Sequence, residues 1–247
     1  MENIKNKILV MSGKGGVGKT TIAVNLAYSL SEKDFKIGLL DVDITGPNVP
    51  KMLNAERMEL LTKDNKIIPV IVKENLKVVS MAFLVEKEKS IIWRGPMKHN
   101  MIKQFVESVE WGDLDYLIAD LPPGTGDEAL SIAQLIPNVT GSIIVSTPQE
   151  VALLDAEKSI DFLHALDIPI IGMVGNMTGD LFGSKSAENF AKSKNISYLG
   201  ELELDKKIVE SGDKGHPFVI EKGTKVSKSF DKLTKKLMNF CERRSIK

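Results

Sequence analysis

Short apolar runs that do not alternate with polar residues recur along the chain: "KILVMS", "KIGLLDVD", "LKVVSMAF", "DYLIADLP", "GSIIVSTP", "IPIIGMVGNM" and "ISYLGEL". Unbroken aliphatic stretches of that length describe strands covered on both faces, the pattern of a parallel sheet. Between them lie helical patterns over Gly18–Glu32, Pro96–Glu110, Asp127–Leu135, Glu150–Leu166, Ser184–Ser193 and Lys225–Arg243. Strand and helix in alternation predict a doubly wound α/β fold, a mostly parallel sheet with helices on both faces. Such sheets bind ligands beyond the carboxyl ends of their strands. Ser12, Asp41, Asp43, Asp120, Thr147 and Asn176 all end apolar runs, so the chemistry is expected at one end of the sheet. No repeat or long Pro/Gly/Ser linker divides the sequence, and residues 1–247 are expected to form one domain ending in a basic amphipathic helix.

Composition narrows the function classes. The 247 residues are 43% hydrophobic and 27% charged, ordinary globular values. No apolar run approaches the ~20 residues of a membrane-spanning helix. The start "MENIKNKILV" lacks the apolar region and cleavage site of a signal peptide, so the cytosol is the expected compartment. Thirty-three basic residues balance thirty-three acidic ones, which leaves no broad pull on nucleic acid or anionic lipid. No nucleic-acid partner is expected. A single cysteine, Cys241, excludes an internal disulfide, and three histidines are too scattered for a zinc site.

The stretch "VMSGKGGVGKTT" carries the most specific chemistry. Gly13-x-x-x-x-Gly18-Lys19-Thr20 has P-loop spacing, directly after one predicted strand and opening one predicted helix. Gly13, Gly15, Gly16 and Gly18 let successive N–H groups of the loop through Val17 point inward at phosphate oxygens, and the helix start adds its positive end. Lys19 is expected on the β- and γ-phosphates, Thr20 as a magnesium ligand, and Thr21 beside them. Lys14 sits at the rim of the loop. There it is either a solvated lysine or a group that points away from its own phosphates and stabilises charge on a partner subunit's nucleotide, as an arginine finger does.

Asp120 closes "YLIAD", a Walker-B-like arrangement suited to holding magnesium through water. The following "LPPGTGD" reads either as a rigid turn or as a switch that senses hydrolysis, in which Pro122 and Pro123 stiffen the exit and Gly124 and Gly126 leave N–H groups free before Asp127. Of Asp41 and Asp43, one is expected to stay in the frame of the sheet while the other enters the loop.

"GKGGVGKT", "LLDVDITGPNVPKML" and "YLIADLPPGTGDEAL" together resemble the deviant P-loop ATPases of the MinD/ParA/nitrogenase-iron-protein group, whose signature lysine stands where Lys14 does. Within it, "GPNVPKML", "IIWRGPM", "QFVESVEWGDLDYLIADLPPGTGDEAL" and the later "NM" resemble the Mrp/ApbC iron–sulfur carrier ATPases, over nearly the whole chain. That resemblance implies a homodimer binding Mg-ATP and hydrolysing it slowly, with Lys14, Lys19 and Asp43 catalytic. It implies Thr20, Asp43 and Asp120 around the metal and Asn176 at the adenine edge. Arg94, His99 and Gln104 lie near "WRGPM" and receive no role.

The resemblance then breaks. Family members carry Cys-x-x-Cys shortly after Asn-Met, and two subunits bridge an iron–sulfur cluster with it; here the text is "NMTGDLFGSKSAENF". Clusters are held mainly by thiolates, so this segment lacks their usual ligands. Three readings stay open: a metallocluster-assembly ATPase serving an apo-metalloprotein client or a cysteine-bearing carrier partner, a MinD/ParA-type positioning ATPase, or a metal-insertion accessory for an enzyme such as a nickel enzyme. The stripe Val226, Phe230, Leu233, Leu237 and Phe240 fits a helix lying on anionic membrane or one covering the sheet; stable membrane association is not expected.

Overall fold

The computed structural model describes residues 1–44, 46–85, 102–179 and 185–245. Its main sheet has eight strands in the order β10-β9-β8-β1-β7-β2-β6-β5. In chain order these are β1 (Ile4–Met11), β2 (Ile37–Asp41), β5 (Val70–Lys73), β6 (Leu76–Ser80), β7 (Leu114–Asp120), β8 (Gly141–Ser146), β9 (Ile170–Thr178) and β10 (Tyr198–Glu203). All neighbours run parallel except β5 on β6. β3 (Leu61–Lys63) and β4 (Lys66–Ile68) form a separate antiparallel hairpin. The helices are α1 (Lys19–Ser31), α2 (Val49–Met52), α3 (Ala82–Val85), α4 (102–107), α5 (Asp127–Leu135), α6 (Glu150–Ala165), α7 (Ser186–Ser193), α8 (Lys206–Asp213) and α9 (Lys225–Ser245).

Two apolar clusters flank the sheet, which is why its central strands are apolar on both faces. On β1, Ile8 and Val10 face one cluster with α1 and α9, while Leu9 and Met11 face the other with α4, α5, α6 and α7. Phe105 on α4 and Phe230 on α9 are among the largest fully buried side chains, one on each side. The stripe of α9 is taken up in the same way. Val226, Phe230, Leu233 and Leu237 are buried, Phe240 is half-buried against them, and Cys241 completes the row. The stripe covers the sheet instead of presenting itself to a membrane. No helix among the described residues is long and apolar enough to cross a bilayer.

One boundary differs from the sequence reading. The helix expected over Pro96–Glu110 ends by Ser108, because Ile67 takes both backbone groups of the following segment: its N–H donates to Ser108 O and its carbonyl accepts from Glu110 N. Val109 therefore bridges Ile67 and is not helical. The start of that predicted helix, together with Arg94 and His99, lies outside the described residues.

Candidate nucleotide site

β1 runs between β7 and β8, and the P-loop leaves its carboxyl end to open α1. Close packing fixes two of the loop's glycines. A Cβ on Gly13 would lie 2.1 Å from the Asp155 carbonyl oxygen of α6. Gly18 has φ +85°, and a Cβ there would lie 2.1 Å from the Asn176 side-chain nitrogen. Only glycine satisfies both the left-handed backbone and the close approach. Gly15 and Gly16 instead face the cleft, Gly16 with open space where a side chain would stand. That opening is the space an oxyanion needs beside the N–H groups.

Beneath the loop, three side chains form one knot. Lys19 Nζ lies 2.7 Å from Asp120 Oδ1, with both groups almost fully buried. Thr20 Oγ1 donates to Asp120 Oδ2 at 2.6 Å. Asp120 ends β7 directly beside β1, with Val10 and Asp120 paired in register, so the topology itself brings Walker B to Walker A. Burial raises the Asp120 pKa, while the Lys19 ammonium and the Thr20 hydroxyl pull it back towards the charged form.

Asp41 and Asp43 separate as expected: Asp41 is the last residue of β2, and Asp43 stands in the loop and lines the cleft. Asp41 lies in register with Asp120 on the adjacent strand. Its oxygens accept from Ser80 Oγ at 2.7 Å and from the Asp43 N–H at 3.2 Å. Burial, followed by the charge of Asp120, pushes its pKa up to about 7. Asp43 Oδ1 accepts from the Gly46 N–H, which closes the loop around it.

The switch segment departs from the sequence expectation at Gly124. Its N–H is not free: it donates to Ser12 O at 2.8 Å and ties the segment to the P-loop. A left-handed φ of +85° at Gly124 makes that turn possible. Pro122 is buried, Pro123 lines the cleft against Gly15, Gly126 has open space at its Cβ position, and Asp127 begins α5 as an exposed residue. Asn176 is buried at the cleft and donates from its side chain to Val17 O at 2.8 Å, so part of its hydrogen-bonding capacity holds the P-loop. Val17 itself points into the core, and Thr21 lines the cleft. Lys14 does not line it. Lys14 is half-buried, and its ammonium has no partner among the described residues. Gln104 is exposed on α4, away from the cleft lining.

The cleft holds about 600 Å³, within the usual range for small-molecule sites. Its far wall was not foreseen from the sequence: Lys51 and Met52 of α2 and Ile208 and Asp213 of α8 close it, with Gly212 packed 3.6 Å from Met52 Cε at its Cβ position. The readable signals were Pro50 in the first turn of α2 and Asp205, whose carboxylate caps α8 by accepting the Lys207 N–H at 2.8 Å. The donor set of Thr20, Asp43 and Asp120 is all oxygen, which suits magnesium bound partly through water and phosphate. An iron–sulfur cluster does not fit as a resident group. Cys241 is the only cysteine, sits in the core, and burial pushes its thiol up to about 12. Among the described residues no group of three or more His, Cys, Asp or Glu side chains converges as a metal cage.

Comparison with known proteins agrees with this geometry. The profile of ParA, the NUBPL iron-transfer P-loop NTPases, matches residues 3–238. An iron–sulfur cluster carrier protein of Methanocaldococcus jannaschii is 45% identical over 98% of this chain and 87% of its own length. A Dictyostelium discoideum homologue of the cytosolic Fe-S cluster assembly factor NUBP2 is 42% identical over 90% of this chain and 89% of its own. Among solved structures, a nucleotide-binding protein in complex with ADP from Archaeoglobus fulgidus superposes with a TM-score of 0.76 at 34% identity, covering 87% of this chain and 88% of that one. The cell division ATPase MinD of Pyrococcus furiosus, with a TM-score of 0.74 at 22% identity over 95% and 99%, shares the fold. With its buried Lys19–Thr20–Asp120 knot at the end of a parallel sheet, the chain belongs to the NUBPL-type iron-transfer P-loop NTPase family.

Proposed function

We propose that this protein is a homodimeric Mg-ATPase of metallocluster assembly that works through a cysteine-bearing carrier or an apo-metalloprotein client. The observation that carries the reading is the division between the two P-loop lysines: Lys19 lies in the floor of the cleft on Asp120, and Lys14 lies outside the cleft lining. Lys19 and the loop N–H groups hold the β- and γ-phosphates, and Asp43 orders the attacking water. Thr20 directly, and Asp43 and Asp120 through water, would hold magnesium, which would supply positive charge to the phosphate oxygens. Lys14 reaches the partner subunit's triphosphate, where it stabilises the charge of the transferring phosphoryl group. Phosphate release frees the Asp120–Asp127 segment, which opens the dimer; the Gly124–Ser12 hydrogen bond gives that segment a direct link to the P-loop. Asn176 keeps a carbonyl oxygen for the exocyclic amine of adenine.

The names of the relatives support iron–sulfur chemistry for the client, and the single buried cysteine supports a role in which another protein supplies the thiolates. A cytosolic setting fits the Dictyostelium relative's name. Two measurements test the reading together: ATP-dependent dimerisation by analytical ultracentrifugation with phosphate release, and anaerobic reconstitution with iron and sulfide followed by iron counting. The expected results are an ATP-induced dimer with slow turnover and no stable cluster on the protein alone. A monomer with ATP, or a stoichiometric cluster without a partner, overturns it.

A further inference from the structure

A second concave site of about 1070 Å³ opens at the opposite end of the sheet from the nucleotide cleft. Half-buried Pro169, just before β9, and Phe240 on α9 give it an apolar floor, backed by the buried Ile171 of β9 and Leu199 of β10. Lys236, Arg243 and Arg244 stand around them, and among the described residues no carboxylate lines the groove. From Ile171 to Asn176, β9 spans about 17 Å at ~3.3 Å per residue, so the two sites are separate.

The cations are placed, not merely near. Lys236 Nζ donates to Tyr198 O at 2.9 Å and Arg244 Nη1 to Thr140 O at 3.2 Å. Each retains further N–H donors for an anion. Arg243 has no hydrogen bond or ion pair among the described residues. The Met173 N–H takes Ser197 O, so Tyr198 O faces the outer edge of β10, and Lys236 caps it there. Pairing of an added strand with that carbonyl is blocked, which leaves recognition to side chains. Two arginines in the last turn of α9 also complement the helix C-terminus. That role explains their sign but not the apolar floor between them and the start of β9.

We propose that this groove docks an acidic segment of a partner protein, with an apolar side chain on Pro169 and Phe240, above the buried Ile171 and Leu199, and carboxylates on Arg243, Arg244 and Lys236. Charge complementarity favours such a peptide, since three of the ten residues lining the groove are Lys or Arg and none of the ten is Asp or Glu. A lipid surface is disfavoured by shape: the apolar residues lie in the floor of a concavity, and the apolar stripe of α9 faces the core.

The test uses the full chain and a fluorescein-labelled peptide of about 12 residues built from Asp, Glu, Leu and Phe, read by fluorescence anisotropy. The double variant Arg243→Glu/Arg244→Glu is expected to weaken binding by about tenfold or more, while Lys228→Glu/Lys232→Glu, an equal charge change on exposed residues of α9 outside this groove, changes it by less than about twofold. Arg243→Glu alone removes no contact of the fold and is expected to cost about threefold, which keeps the test valid if the double variant does not fold. Nucleotide affinity should be the same in every variant. Absence of peptide binding, or equal weakening by both charge pairs, overturns the proposal. Binding to phosphatidylserine vesicles that requires Arg243 and Arg244 while the peptide fails to bind also overturns it, in favour of a lipid surface.

Discussion

Lys19 and Lys14 meet opposite surroundings although both belong to one glycine-rich loop. Lys19 is 6% exposed and paired with an Asp120 that is fully buried. Removing one partner of such a pair strands the other charge, so Lys19→Ala is expected to cost ~3–5 kcal/mol in denaturant unfolding and to weaken nucleotide binding. Lys14→Ala is expected to change stability by no more than ~0.5 kcal/mol and nucleotide affinity by less than about threefold. Its phosphate release is expected to fall by about 10³-fold, the scale of an arginine finger. Equal losses of affinity in the two variants contradict the division of labour. Cys241 gives a further check at this scale. Burial raises its pKa to about 12, so the thiol stays protonated at pH 8 and the reactive thiolate is scarce. A thiol reagent should label it only at the rate of unfolding; fast labelling of the folded protein contradicts the packing. The spacing of Lys19 and Thr20 was legible because the motif depends on local chain geometry. That Asn176 spends a donor on Val17 O was not, since the two are brought together only by the packing of β9 on the P-loop.

Among the elements, the parallel strands and their helices were readable because burial on both faces leaves no polar alternation to disguise them. Strand β5, the β3–β4 hairpin and α8 were missed for different reasons. The hairpin turn is Asp64-Asn65, both at positive φ, and such a two-residue turn is a weaker signal without glycine. α8 has no buried residue and gains its place from the cleft it walls. Gly13→Ala pushes a methyl group into the α6 backbone at Asp155 and is expected to destabilise by ~1–3 kcal/mol in urea unfolding, with an unchanged midpoint as the contrary result. Where β2 meets β7, Asp41 binds its proton more tightly in the fold than in the unfolded chain, since burial and Asp120 raise its pKa to about 7. Without nucleotide or magnesium, this group stabilises the fold fully below about pH 4, and the contribution is lost as pH rises to about 7. Asp41→Asn should flatten that decline in melting temperature; an unaltered slope assigns it to other groups.

At the scale of the molecule, one sheet carries the nucleotide cleft at the carboxyl ends of its strands and the cationic groove at their amino ends. The family and fold could be read from the motifs, and the single cysteine from the composition, because both are written in residue identity. The completion of a site by a second copy is a property of two chains, which neither one sequence nor one subunit displays. Mixing two inactive variants exposes it most directly. In the proposed homodimer, Lys14→Ala and Asp43→Ala are each expected to disable both sites. If Lys14 acts across the interface, a mixed dimer has one site with an intact Asp43 and the partner's intact Lys14, while its other site has neither. Random pairing at equal amounts then restores about one quarter of wild-type phosphate release. No recovery on mixing, with subunit exchange verified, places Lys14 on its own subunit's nucleotide and contradicts the account.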